Sequence, residues 1–209
     1  MSAALEYHRA TNYRPRDWES DESRRYVGER PPPFHDHGDA DRLPLDTSVA
    51  GPLLNDGAGI VRSQEGRDYG GGTIHWRSYS SAGALFPVEA YVAEPSGLYS
   101  FDPLTPGLVL LRNGDARAEA GAALGAEAQT FVVLTGIHAR TGWKYLERGY
   151  RHVWWDAGTM FANLLALAAA DGLAPRLHTA FVDRELNEIV GADGTLEYAL
   201  AVLGLGDGS

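Results

Sequence analysis

Arg77-Ser-Tyr-Ser-Ser-Ala-Gly-Ala-Leu-Phe-Pro-Val-Glu-Ala-Tyr-Val92 is the stretch on which the reading of the fold turns. Its first half consists of hydroxyl-bearing and small residues, which let a backbone come close to a ligand. Its second half has the apolar alternation of a strand. Pro87 cannot sit within a sheet and divides the two. Ser80 to Phe86 is therefore expected to form a turn with a short helix, and Val88, Ala90 and Val92 one face of the strand that follows. Taken alone, Ser-Ser-Ala-Gly is better read as an ordinary junction between loop and strand.

At 209 residues the chain is long enough for one well-buried core with appendages. It has no cysteine, which excludes disulfides, thiolate nucleophiles and cysteine-bound metal or iron-sulfur centres; redox chemistry would have to come from a cofactor. With 28 Asp and Glu against 18 Lys and Arg and no basic run, the net charge of -10 argues against a nucleic-acid partner. The longest apolar run, near Phe161 to Ala170, is too short and alanine-rich to span a membrane, and no secretory pattern opens the chain. A soluble cytoplasmic protein is expected.

Outward from the opening stretch, residues 1–47 read as an extended arm and residues 48–209 as the domain. Only Ala3 to Thr11 of the arm has helical character, Pro31-Pro32-Pro33 imposes an extended segment, and Phe34, Trp18 and Tyr26 are candidates to pin it to the body. His35-Asp36-His37-Gly38-Asp39-Ala40-Asp41 has side chains that can bind metals but no regular element to fix them. It is read as a solvated acidic loop, with no metal site. A short helix is expected over Asp46 to Val61. Asp68 to Thr73 reads as a flexible hairpin or connection, not as a dinucleotide fingerprint.

Beyond the opening stretch, Gly97 to Phe101, Gly107 to Arg112 and Thr130 to Thr135 read as strands, and Asp115 to Ala128 as a helix. From Arg140 to Arg151 the chain is dense in cations and aromatics. Such a segment suits an anion and a planar ring, or equally a loop whose long stems pack on the core. Val153 to Leu173 reads as a helix buried on Ala157, Met160, Phe161, Leu164 and Ala168, with an apolar face wide enough to need the core or a second subunit. An irregular piece at Pro175 to Ala180, a helix at Asp183 to Val190 capped by Asp183, a strand at Leu196 to Leu203 and a loose tail complete the chain.

In combination these features resemble the nitroreductase family of FMN proteins, and within it the SagB-type branch, the azoline dehydrogenases of peptide natural products. The resemblance rests on Arg77 to Glu89, Gly97 to Pro103, Trp143-Lys-Tyr145 with Arg148-Gly-Tyr-Arg151, and Asp156-Ala-Gly158 with Asn163-Leu164. Tyr7-His-Arg-Ala-Thr11 is similar to the leader of that branch. It implies an α+β fold, a mixed sheet flanked by helices, in an obligate homodimer with FMN at the subunit interface.

The resemblance also implies roles. The turn, with Ser80, Ser81, Ala82, Gly83 and Leu85, would face the flavin ring. Arg77 and Arg151 would serve its polar edge or phosphate, and His178 and Thr179 would add backbone contacts. Lys144 and Tyr145 match the branch's catalytic pair. A lysine held beside flavin and arginines loses its proton more readily, and the neutral amine would take one from the azoline. Where typical members carry an arginine-rich helix start, Asp36 to Val49 offers only Arg42. Three functions stay open: an azoline dehydrogenase acting on a peptide beside other enzymes of a biosynthetic cluster, an FMN enzyme for a nitro compound or quinone, or a partner protein without catalysis.

Overall fold

The computed structural model describes residues 2–13, 28–66 and 72–206. Helix α1 (Ala3–Ala10), strand β1 (Arg42–Leu43) and helix α2 (Ala50–Ala58) come first. Strands β2 (Ile60–Glu65), β3 (Thr73–Arg77), β4 (Val88–Glu94), β5 (Gly97–Asp102) and β6 (Gly107–Asn113) follow. Then come helix α3 (Ala116–Leu124), strand β7 (Thr130–Gly136), and helices α4 (His138–Tyr145) and α5 (Gly149–Ala170). Strand β8 (Arg176–His178), helix α6 (Asp183–Val190) and strand β9 (Tyr198–Leu205) close the chain. Seven strands pair antiparallel in the order β1-β6-β5-β4-β7-β9-β8, and β2 pairs with β3 apart from them.

Strand β4 begins at the residue after Pro87, as the missing N–H of proline requires. Val88, Ala90 and Val92 share one face with Val132, Leu134 and Leu203, and α2 and α5 cover it. Tyr91, Ala93, Phe131, Val133 and Val202 point the other way and are covered by α3 and α6. The architecture is α+β in three layers, with β4 and β7 in the middle. Helix α5 buries Val153, Ala157, Met160, Phe161, Leu164 and Ala168, and each large side chain taken fully out of water contributes about 1.5–3 kcal/mol.

Several boundaries move. The helix expected over Asp46 to Val61 is confined to Ala50–Ala58, because Ile60 to Glu65 pair with Thr73 to Arg77. Helix α4 occupies part of the cationic segment, and α5 starts at Gly149. The irregular piece after Pro175 holds β8 on the sheet edge, and β9 runs on to Leu205. Asp183 is the first helical residue after Val182 and caps nothing with its side chain, whereas Asp115 does accept from Ala118 N at 2.9 Å. Trp18, Tyr26 and Asp68 to Gly71 lie outside the described residues.

Residues 32–43 of the expected arm form a strap across one end of the sheet. Arg140 Nε of α4 donates to Pro32 O at 2.8 Å, and Arg140 Nη2 lies 2.6 Å from Glu89 Oε1 of β4. His35 N donates to Glu89 at 3.2 Å, while His35 Nε2 lies 3.1 Å from Glu197 Oε2. Glu197 also accepts from the hydroxyls of Tyr91 and Thr135, at 2.7 and 2.5 Å. Further on, His37 meets Ser100 at 3.2 Å, Arg42 pairs with Asp102 at 2.8 Å, and β1 joins β6. The histidines of the loop expected to be solvated are thus tied to the sheet.

This latch fixes a pH dependence. The bond to Glu197 raises the pKa of His35 above its ordinary 6.5, against the opposing effect of burial. Burial alone would raise Glu197, but bonds from His35, Thr135 and Tyr91 hold it below its ordinary 4.5. The contribution of His35 is therefore complete below about pH 6.5 and is lost as pH climbs through the higher folded value. That of Glu197 is complete above about pH 4.5 and is lost as pH falls through the lower one. His35→Gln is expected to lower the melting temperature relative to wild type more at about pH 6 than at about pH 8, because only the protonated ring gains from Glu197. Melting curves with the same pH slope in both proteins would refute the latch.

Candidate active site

Helix α5 grips the small-residue turn along one polar stripe. Asp156 Oδ2 accepts from Ser81 Oγ at 2.5 Å, and its Oδ1 from Ala82 N at 3.2 Å. Ser81 Oγ in turn accepts from Phe86 N at 2.9 Å. One turn further along the helix Thr159 Oγ1 donates to Ser80 O at 2.7 Å, and a turn beyond that Asn163 Nδ2 donates to Ser78 O at 2.9 Å. Between these anchors the backbone enters the left-handed region at Gly83 (φ 65°), Ala84 (φ 52°) and Phe86 (φ 46°). Alanine and phenylalanine rarely adopt it, at about 1–2 kcal/mol each, so the anchors must outweigh that cost. Burial pushes the Asp156 carboxyl up to about 6, while the Ser81 and Ala82 bonds pull the other way.

The expected catalytic pair arrives from α4. A Cβ built on Gly83 would lie 2.9 Å from Tyr145 Oη and 3.1 Å from Lys144 Nζ, so a side chain there would push on the ends of both, and the φ of 65° disfavours it besides. Helices α4 and α5 approach closely because Gly149 has no side chain: a Cβ there would meet Gly142 N at 2.6 Å. Thr141 Oγ1 bridges the gap to Gly149 O at 3.0 Å. The Tyr145 ring lies 4.3 Å from that of His152, one turn before Asp156, and Trp155 closes the other side of His152 at 5.0 Å. Burial first, and then Arg148, lower the pKa of His152. His152 Nε2 and Arg148 Nε are buried and have no hydrogen-bond partner among the described residues.

The structure thus brings Ser80, Ser81, Ala82, Gly83, Lys144 and Tyr145 together, with the Leu85 side chain buried beneath the turn. It does not bring the two expected arginines to the same surface. Arg77 is 5% exposed; its Nε donates to Ala58 O at 2.5 Å and its Nη1 to Val88 O at 3.4 Å, behind the turn. Arg151 donates to His8 O of α1 at 2.6 Å and to Asn12 at 3.4 Å. The His178 ring packs on Phe131, on the sheet face opposite α5, and Thr179 is exposed beyond it. Asp156, Thr159, Asn163, Arg148 and His152 were given no role from the sequence. The signal available was the recurrence of Asp, Thr and Asn on one side of an otherwise apolar helix.

A model of the nitroreductase family matches residues 48–207, from just before α2 to the end of β9. The chain belongs to the nitroreductase family. That family is typically flavin-dependent. A protein described as a nitroreductase from Methanocaldococcus jannaschii is 28% identical over 144 residues, 63% of this chain and 70% of its own. A crystal structure described as a nitroreductase from Anabaena variabilis superposes with TM-score 0.86 at 26% identity, covering 98% of this nitroreductase-family chain. The chain spans 46% of that protein, slightly under half its length. The E. coli microcin synthetase McbBCD complex with truncated pro-MccB17 aligns with TM-score 0.65 at 20% identity, over 99% of this chain and 82% of that one, which is a likeness of fold. No helix among the described residues is long and apolar enough to cross a membrane.

Proposed function

We propose that this nitroreductase-family protein is an FMN-dependent dehydrogenase that oxidises azoline-type heterocycles in a peptide, working as a homodimer. The meeting of Lys144 and Tyr145 at Gly83 carries the reading, since it sets an amine and a phenol beside a bend with no side chain of its own. FMN, when bound, supplies the acceptor for a hydride. Lys144 takes the proton released from the neighbouring ring carbon, and Tyr145 borders the same space. The Ser81 hydroxyl is engaged with Asp156 and Phe86 N, so ring contacts fall to the backbone of Ser80 to Leu85. Arg148 Nε, buried and without a hydrogen-bond partner among the described residues, suits a ligand rich in acceptor atoms such as FMN, with His152 Nε2 beside it as a second unmatched polar atom. Arg151, His178 and Thr179 stay as proposed contacts, with Arg77 acting from behind the turn.

The homodimer is supported by α5, where Trp154 and Trp155 are 43% and 50% exposed and sit beside the site. Other enzymes of a biosynthetic cluster belong to the same reading, as suppliers of the azoline-bearing peptide. A second reading, a relative that no longer holds FMN tightly, is favoured by the arginines. Arg42 is committed to Asp102 and to the carbonyls of Gly38 and Ala40, and Arg77 to Ala58 and Val88. Purified protein decides between them. Flavin absorbance, FMN released on denaturation and loss of two hydrogens from an azoline peptide by mass spectrometry are the expected results. A colourless protein that ignores added FMN supports the second reading, and a yellow one that reduces only quinones or nitro compounds refutes the azoline substrate.

A further inference from the structure

Lys144 is the one lysine of the chain; every other member of its 18 Lys and Arg residues is arginine. A guanidinium stays charged at any pH a protein meets, so a position needing an amine that can release its proton cannot take arginine. What surrounds that amine is set from outside α4. Gly83 lines it at close range, and next to it Ala84 and Phe86 stand in the left-handed region, which costs free energy that a turn held at both ends can bear. The hold is Asp156, 4% exposed, accepting from Ser81 and Ala82 while Ser81 accepts from Phe86 N. A carboxylate buried to this degree costs stability, and its place here answers to geometry.

We propose that Asp156 is a positioning residue: through Ser81 and Ala82 it keeps Gly83 against Lys144, and so fixes where the amine stands. Its functional meaning rests on the reading of Lys144 as the base, but the linkage itself belongs to the ligand-free protein and is tested there. Protein labelled with 13C,15N-lysine gives a single side-chain Cε–Nζ signal, a direct reporter on residue 144. Asp156→Asn and Ser81→Ala are each expected to shift that signal, and the double variant to shift it no further than the larger single effect. In the same variants, amide exchange at Ala82 and Phe86 should quicken by about tenfold or more, that of a charge-assisted bond lost, while Leu134 in the centre of β7 keeps its rate.

Should Asp156→Asn fail to fold, Ser81→Ala alone tests the linkage, because it removes the hydroxyl that joins Asp156 to Phe86 N. A lysine signal that stays in place, or Leu134 quickening in step with Ala82 and Phe86, overturns the proposal. No flavin enters the measurement, so a protein found not to bind FMN would sink the functional reading and leave this result readable. With FMN added, both variants should bind it about tenfold more weakly if both readings hold.

Discussion

Lys144→Met is expected to lower azoline oxidation by about a hundred- to ten-thousandfold with bound flavin unchanged. That range corresponds to roughly 3–5 kcal/mol of transition-state stabilisation, the usual worth of one well-placed general base. Lys144→Arg should fail as well, although it keeps the charge, because a guanidinium cannot accept the proton. Tyr145→Phe retains the ring that stacks on His152 and removes only the hydroxyl, so its loss should be smaller. Steady-state turnover paired with flavin absorbance reads all three variants. Turnover within a few-fold of wild type in Lys144→Met, with flavin retained, would remove the base from the mechanism. The chain has no second lysine to substitute for it.

Arg140→Met should destabilise the fold more than any single truncation on the surface. Arg140 and Glu89 are 4% and 2% exposed, and the guanidinium also donates to Pro32 O and to Phe86 O at 3.2 Å. Removing one partner leaves a buried charge uncompensated, a loss of about 3–5 kcal/mol. For a chain of this size that is a fall in melting temperature of about 6–20 °C. Arg140→Met combined with Glu89→Leu should recover much of the loss, since a buried pair replaced by apolar groups is often neutral. Urea unfolding of the two singles and the double tests this. A double variant no more stable than Arg140→Met alone would mean that the links to Pro32 and Phe86, not the pair, hold this corner.

Which parts could be read from the residues follows from where the apolar side chains lie. Strand β4 and helix α5 were legible because Val88, Ala90 and Val92, and then Ala157, Met160, Phe161, Leu164 and Ala168, carry the periods of a strand and a helix in apolar residues. Helix α4 was hidden because its buried positions are Arg140, Thr141 and Trp143, two of them polar, so its period registers as a solvated segment. Strands β2 and β8 have no fully buried residue, hence no apolar face to signal them. Within the site, the turn and Lys144-Tyr145 were visible as a motif. Asp156 belongs to the same motif, but only its contact with Ser81 gives it a role. The arginines were the hardest, because one buried behind a turn and one on a ligand look identical in a sequence.

The strap has a bearing on how the chain matures during synthesis. His35 leaves the ribosome well before the carboxylate it latches onto, Glu197. Arg140 and Thr135 also emerge long after Pro32 and His35. The strap cannot be fully latched until the chain has been made as far as Glu197, so its seating follows the assembly of the strands it crosses.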